Sequence, residues 1–182
     1  AMWVQALAEA PRDMFQKEKA KVVYFTGCVA SYFPMAKRIP QSIVQILDKA
    51  GVDFTLLGGE EWCCGFPLIG AGVPEKAKEM MEHNLRIAKK LEAETIVFSC
   101  PSCYRTWQES YHTDLELLHT TQLIEKLIAN GSIRLGKVDL AVTYHDPCDL
   151  GRKGGVYDAP RTILKSVPGL TFVELENKRA QS

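Results

Sequence analysis

The sequence predicts an α/β fold: a parallel sheet with helices on both faces and its site at the carboxyl edge of the strands. Three observations predict it. Short runs rich in β-branched and aromatic residues alternate with longer stretches whose apolar residues recur at helical spacing, the pattern of βαβ units. The cysteines fall just behind the predicted strands rather than inside them. And 182 residues, 46% of them hydrophobic, suffice for one domain with a full core.

Residues 1–20 open with a short apolar segment, turn charged through Arg12, Asp13, Lys17, Glu18 and Lys19, and read as an N-terminal connector. A first cysteine-bearing unit is predicted over residues 21–139, and the start of a second, packing on the same sheet, over 140–182. Val22-Val23-Tyr24-Phe25-Thr26 is a buried strand by its composition. Ile39, Ile43, Ile46, Leu47 and Ala50 then repeat at helical spacing until Gly51 closes the helix. A second strand covers 52–57. Gly58-Gly59-Glu60-Glu61 leads into the loop Trp62-Cys63-Cys64-Gly65-Phe66-Pro67, which runs on through Gly70 and Gly72. Pro74 suits the first position of a helix reaching about Glu92. Strand three is Thr95-Ile96-Val97-Phe98-Ser99, and Pro101 starts a helix over 104–111. A further helix over 121–129 ends at Asn130-Gly131; strand four is 140–144, followed by a short helix at 161–166 and a last strand at 170–175.

Cys28, Cys100 and Cys148 each lie just after a predicted strand, and Cys63-Cys64 lie in the loop after another. In a parallel sheet all such loops leave from the carboxyl edge, where open α/β sheets bind ligands at the point of strand-order reversal. Topology alone therefore brings these distant cysteines to one rim.

The tail also echoes the start. Residues 22–28 can be laid on 142–148 with tyrosine and cysteine coincident, Ile39-Pro40 falls on Ala159-Pro160, and Gly51-Val52-Asp53-Phe54 falls on Gly169-Leu170-Thr171-Phe172. Three matches in order predict an internal duplication. The counterpart of Cys63-Cys64 is expected within a residue or two of Ser182, so the sequence reads as one complete unit and the opening third of another.

Lysine plus arginine and aspartate plus glutamate balance at 22 each, leaving neither a basic field for nucleic acid nor an acidic tail. No apolar run nears the roughly 20 residues that span a bilayer, and residues 1–6 lack the charged-then-apolar signature of a secretory signal. Both features predict a cytoplasmic chain with no direct membrane insertion, where thiols stay reduced. Thiolates are soft ligands that select iron–sulfur, zinc or Cu(I) over magnesium or calcium. The five candidate ligands, Cys28, Cys63, Cys64, Cys100 and Cys103, are one more than tetrahedral zinc takes. Neighbouring side chains of extended backbone diverge, so Cys63 and Cys64 suit two irons of a cluster better than a single ion. Ferredoxin sites gather most ligands in one short run; here they sit on three loops. Two other readings stay open: a zinc-stabilised interaction module, and a metal-free dithiol redox protein using Cys100 and Cys103.

The remaining candidates are weaker. His145, beside a cysteine-bearing turn, can donate to a cluster sulfur or cap Asp146, with the structural role favoured. His83, His112 and His119 read as helix or surface residues. Trp62 and Phe66 either shield the site from water or fill core. Gly70-Ala71-Gly72 lacks the lysine–hydroxyl ending of a phosphate loop. Arg152-Lys153-Gly154-Gly155 reads as a solvated loop rather than a seat for an anionic substrate.

The set Cys28, Cys63-Cys64-Gly65 and Cys100-x-x-Cys103 resembles the cysteine-rich CCG domain found in the B component of heterodisulfide reductases. Related domains occur in iron–sulfur subunits of glycolate, lactate and glycerol-3-phosphate oxidising systems. The resemblance runs from about Lys21 to the end. It implies an iron–sulfur oxidoreductase domain serving electron transfer, disulfide reduction of the heterodisulfide reductase type, or both. It further implies tandem units, each with a [4Fe–4S] cluster of non-cubane type, held here by Cys28, Cys63, Cys64, Cys100 and Cys103 as cofactor ligands. The partners implied are other redox subunits, ferredoxin-like, flavoprotein or membrane quinone-linked. Cys148 matches the first cysteine of the second unit, whose remaining cysteines are not among these residues. One cluster is therefore expected, no residue is assigned a catalytic role, and a stretch of this length is expected to be inactive alone. Oxygen sensitivity of such clusters makes empty thiols or zinc the expected substitutes in an isolated stretch.

Overall fold

The computed structural model describes residues 3, 4, 7, 11, 13–15 and 17–182. Its main sheet consists of β1 (Val22–Phe25), β2 (Phe54–Leu56), β3 (Thr95–Phe98) and β4 (Glu116–His119), all parallel, in the order β2-β1-β3-β4. The chain starts in the middle of the sheet, crosses to β2 on one side, then returns past β1 to β3 and β4. Strand order thus reverses between β1 and β3, and the crevice outside their carboxyl ends is the switch point. Phe25 pairs with Phe98 across that gap. The loops bearing Cys28 and Cys100 consequently leave the sheet side by side.

Among the described residues seven α-helices connect and cover the strands: α1 (Cys28–Tyr32), α2 (Arg38–Lys49), α3 (Phe66–Gly70), α4 (Pro74–Lys90), α5 (Pro101–Ser110), α6 (Thr120–Ala129) and α7 (Asp158–Ser166). The two-residue alternation of a strand sorts the core into two layers. Val23 and Phe25 join Ile96, Phe98, Met81, Trp107 and Tyr111 on one face, and Cys64 and Cys103 belong to this layer. Tyr24 joins Val44, Leu47, Phe54 and Leu56 on the other. Beneath the cysteines lies an aromatic floor: Phe25, Phe98 and Trp107 meet at centroid distances of 5.5–5.7 Å, and Trp107 stacks on Tyr111 at 3.8 Å. Large side chains buried in this way stabilise by about 1.5–3 kcal/mol each, so the rim of the sheet stands on a well-packed core.

The described residues of the expected 1–20 connector are tied to the core. Trp3 and Met14 are buried in the second layer, and Phe15 forms a parallel bridge with Leu56, covering the outer side of β2. Residues 1, 2, 5, 6, 8–10, 12 and 16, over which the connector reading also extends, lie outside the described residues. Strand β4 and the short helices α1 and α3 are absent from the sequence-based expectation. The second part departs from it more. Residues 140–182 do not continue the main sheet; β5 (Ala141–Val142) and β6 (Thr171–Phe172) form a parallel pair of their own. The pairing partner explains this. Val142 opposes Phe172 as Val22 opposes Phe54, so β5 takes β6 as its neighbour rather than a strand of the main sheet. The expected strands over 140–144 and 170–175 shrink to two residues each, as befits a ladder with one neighbour. Among the described residues no helix is long and apolar enough to cross a membrane.

Candidate metal centre

Three loops from the carboxyl edge carry the five cysteines of the first unit. Gly27 leaves β1 with φ 79°, and a Cβ on it would stand 3.1 Å from Cys103 Sγ and 3.9 Å from the Cys100 Cβ. Only glycine lets the Cys28 turn lie this close against the C-x-x-C segment. Gly65, with φ 95°, does the same behind the double cysteine, where a Cβ would meet Met81 Cε at 3.0 Å and Ala77 Cβ at 3.1 Å.

The backbone of residues 62–64 is gripped from α4 and α5. Asn84, fully buried on α4, accepts the Trp62 N–H at Oδ1 (3.0 Å). That N–H can only donate, which fixes the way round of the amide. Its Nδ2 then donates toward Trp62 O, Cys63 O and Tyr111 Oη, each at 3.2 Å, and Tyr111 Oη donates to Cys64 O at 3.2 Å. Trp62, half-exposed, stacks on the buried His83 with ring centroids 3.8 Å apart. His83 Nε2 lies 2.8 Å from Glu60 O, an acceptor only, so Nε2 carries the proton while Arg86 donates to Nδ1. His83 is thus a structural prop for the loop. Glu61 completes the frame: its carboxylate accepts the N–H groups of Thr26 (2.8 Å) and Gly27 (2.7 Å). The residue is only half-buried, but both oxygens are turned inward, and burial raises the carboxyl to about 7 against the pull of the two amides.

None of the six cysteines is in a disulfide. Four thiols lie close enough to shift one another: Cys63 against Cys64, and Cys103 against both Cys100 and Cys64. The Cys63 thiol is pushed up by its interaction with Cys64, with burial adding to this. Cys103 is pushed up by Cys100 first and Cys64 second. Cys64 is driven down by the Cys103 and Cys63 thiols aimed at it. Cys100 falls to about 6 through the Cys103 thiol, with the amides of Cys103 and Ser102 at the start of α5 adding a smaller pull. Cys100 makes no side-chain cap at the start of α5. Cys28 stands near enough to Cys63 for its charge to raise that thiol. Cys63, Cys64, Cys100 and Cys103 are thus neighbours, and Cys28 lies on the adjoining loop.

The electrostatics give a testable consequence. In metal-free protein, alkylation of Cys100 is expected to be half-maximal near pH 6 and to fall as pH drops through that value, because only the thiolate reacts. Peptide mapping of iodoacetamide adducts between pH 5 and 8 checks it; buried Cys64 and Cys103 should stay unlabelled in the folded chain.

Cys148 is exposed and precedes a π-helical turn at Asp149–Lys153. The neighbouring Asp149 accepts from Ser102 Oγ (2.6 Å) and Arg105 Nη1 (3.1 Å), docking the second cysteine turn beside the first unit's C-x-x-C. His145 bonds Ser182 Oγ through Nδ1 at 2.7 Å, and Asp146 is paired with Arg161 instead. Arg152 donates to Ala180 O and Ser182 O, so it fastens loops together. His119 is a buried N-cap of α6 rather than a surface residue, and burial lowers its pKa to about 4. Sequence reasoning missed Asn84, Tyr111 and Glu61. The signal for the first was present: Ala77, Met81, Asn84 and Ala88 lie on one helical stripe, and all are buried.

Compared with known proteins, residues 22–108 and 142–182 match the family model described as CCG, cysteine-rich domain. The chain belongs to the CCG cysteine-rich domain family. The two matched segments are the two parts that the strand registers equate. Among relatives of this CCG chain is the D component of the dihydromethanophenazine:CoB–CoM heterodisulfide reductase of Methanosarcina acetivorans, 41% identical over 93% of this chain and 44% of the relative. The EtfAB:quinone oxidoreductase of Syntrophomonas wolfei is 34% identical over 85% of this chain and 22% of its own length. An iron–sulfur protein of Methanococcus maripaludis is 34% identical over 88% of the chain and 32% of its own. The CCG chain thus spans less than half the length of these relatives, and is homologous to iron–sulfur oxidoreductases of the heterodisulfide reductase type. No solved structure matches it significantly.

Proposed function

We propose that Cys28, Cys63, Cys64, Cys100 and Cys103 bind one [4Fe–4S] cluster of non-cubane type, through which the domain carries electrons and serves disulfide reduction. What supports this reading is that the loops carrying the five cysteines leave the carboxyl edge of β1, β2 and β3 around the switch point, with the thiols of Cys63, Cys64, Cys100 and Cys103 close enough to shift one another. The donor set fits the group. It is all sulfur, and it exceeds what one tetrahedral ion uses. An iron–sulfur cluster supplies one-electron storage at low potential.

The chain's own residues do the rest. Asn84, Tyr111 and Glu61 hold the loop so that the sulfurs need not reorganise. Amides of Gly65, Phe66, Ser102 and Cys103 lie against the sulfurs of Cys63, Cys64 and Cys100, where N–H dipoles favour the thiolate form. The aromatic floor keeps water from below. Likeness to one component of a heterodisulfide reductase and to a quinone oxidoreductase supports a disulfide as substrate class and other redox subunits as partners.

Anaerobic purification with iron and acid-labile sulfide analysis tests the reading. Cys63→Ser and Cys64→Ser are each expected to cut bound iron by at least about fivefold, since each removes one ligand of the set. A metal-free dithiol protein relying on Cys100 and Cys103, the reading that the lowered Cys100 supports, would tolerate both substitutions. Colourless protein with one firmly held zinc, and no iron taken up on anaerobic reconstitution, would sink the cluster.

A further inference from the structure

We propose that Glu61 is a positioning residue that sets the separation between Cys28 and the Cys63–Cys64 pair, and that the Asp146–Arg179 contact is the same latch rebuilt at the second cysteine turn. The inference rests on the cluster reading only for what the separation serves.

The first latch joins two loops that no other polar side chain links directly among the described residues. One oxygen of Glu61 accepts the Thr26 N–H at 2.8 Å and the other the Gly27 N–H at 2.7 Å. These are the two amides immediately before Cys28, and Glu61 stands two residues before Cys63. Two parallel bonds from one planar group fix orientation as well as distance. The side-chain chemistry is particular to this job. A carboxylate offers two acceptors to two adjacent N–H groups, whereas a glutamine would turn an N–H₂ against one of them. An anion beside five sulfurs is electrostatically unfavourable, so stability alone would not select it there. Its use lies in the geometry it imposes.

The second turn supplies the independent observation. In the register that lays Cys28 on Cys148, Thr26 falls on Asp146; in the register that lays Phe54 on Phe172, Glu61 falls on Arg179. These two positions are again bonded, but with the roles exchanged. Asp146 now supplies the carboxylate, and the Arg179 backbone N–H donates to its Oδ2 at 2.7 Å. The Asp146 N–H, counterpart of the Thr26 N–H, is also satisfied, by Ser182 Oγ at 3.1 Å. The same link is reached with the carboxylate on opposite sides. The unit therefore requires the link itself: the loop behind its second strand must be fastened to the turn in front of its first cysteine. Glu61 meets that requirement where the cysteine pair follows.

The test compares wild type with Glu61→Ala and Glu61→Gln by amide hydrogen exchange in metal-free protein, and by iron per chain after anaerobic reconstitution. In Glu61→Ala the Thr26 and Gly27 amides should exchange at least about tenfold faster. Val23 and Tyr24, held in the sheet from both sides, should change by less than about twofold. Bound iron should fall at least about threefold, with Glu61→Gln intermediate in both readouts. Unchanged exchange at Thr26 and Gly27 overturns the latch, as does acceleration of all four amides together in both variants, which would mark a general stabiliser. Full iron loading of Glu61→Ala overturns its positioning role. Should wild type itself take up no iron, the cluster reading fails separately, and amide exchange still decides the latch.

Discussion

Asn84→Ala is expected to destabilise the domain by about 3–5 kcal/mol, lowering the melting temperature by about 10 °C. The magnitude follows from what the side chain satisfies. Asn84 has no exposed area, yet it pairs with the Trp62 N–H, the carbonyls of Trp62 and Cys63, and the Tyr111 hydroxyl. Alanine takes this partner from the Trp62 N–H and the Trp62 and Cys63 carbonyls beneath α4, leaving Tyr111 only its bond to Cys64 O, and each buried orphan costs about 1–3 kcal/mol unless water enters. Asn84→Asp should be at least as harmful. It keeps an acceptor for Trp62 but turns an anion toward two carbonyl oxygens. Thermal and urea unfolding read the loss, and iodoacetamide mapping should show Cys64 becoming reactive because Tyr111 also loses its support against Cys64 O. A loss under about 1 kcal/mol, with Cys64 still protected, would mean that the loop is held by its thiols and not by this amide.

That such a residue escaped the sequence reading has a physical cause. Cysteines are rare and chemically specific, so their placement behind the strands at 22–26 and 95–99 could be read directly, and the parallel sheet then dictated a common rim. The switch point between β1 and β3 needed the strand order, which one sequence does not contain. Asn84 and Glu61 are common polar residues in stretches that look solvated; their partners are backbone groups more than 20 residues away, and backbone groups leave no mark on sequence. Strand β4 was hidden differently. Leu115 and Leu117 alternate with Asp114 and Glu116 at strand period, but an edge strand carrying charges on one face resembles a lead-in to the helix that follows. The expected duplication rested on Cys148 and Phe172, and which sheet residues 140–182 join could not be read there, because β5 could pair with β4 or with β6, and only the Val142–Phe172 register decides.

Arg161→Met is expected to cost about 3–5 kcal/mol at neutral pH. The guanidinium is nearly inaccessible and spends all five of its N–H groups: two on Asp146 (2.7 and 2.6 Å), two on Glu174 (both 2.9 Å) and one on the Tyr157 carbonyl (2.7 Å). Methionine matches the stem's volume but strands Asp146, which is equally buried, as an anion with only the Arg179 N–H left to it. Lysine should rescue little, since a point charge cannot fork between two carboxylates. The pH dependence has a definite sign. Arg161 holds both Asp146 and Glu174 below their usual carboxylate range, so their contribution is present above the unfolded-state values near pH 4 and is lost as pH falls through the lowered ones. Wild type should lose stability below about pH 4, while Arg161→Met, already deprived of the pairing, should lose less. The gap between their urea midpoints should therefore narrow from pH 7 to pH 3; a constant gap would assign the cost to lost packing alone. Because Asp146 also accepts the Arg179 amide, the same substitution should accelerate exchange of that amide and loosen the turn that presents Cys148 beside Ser102.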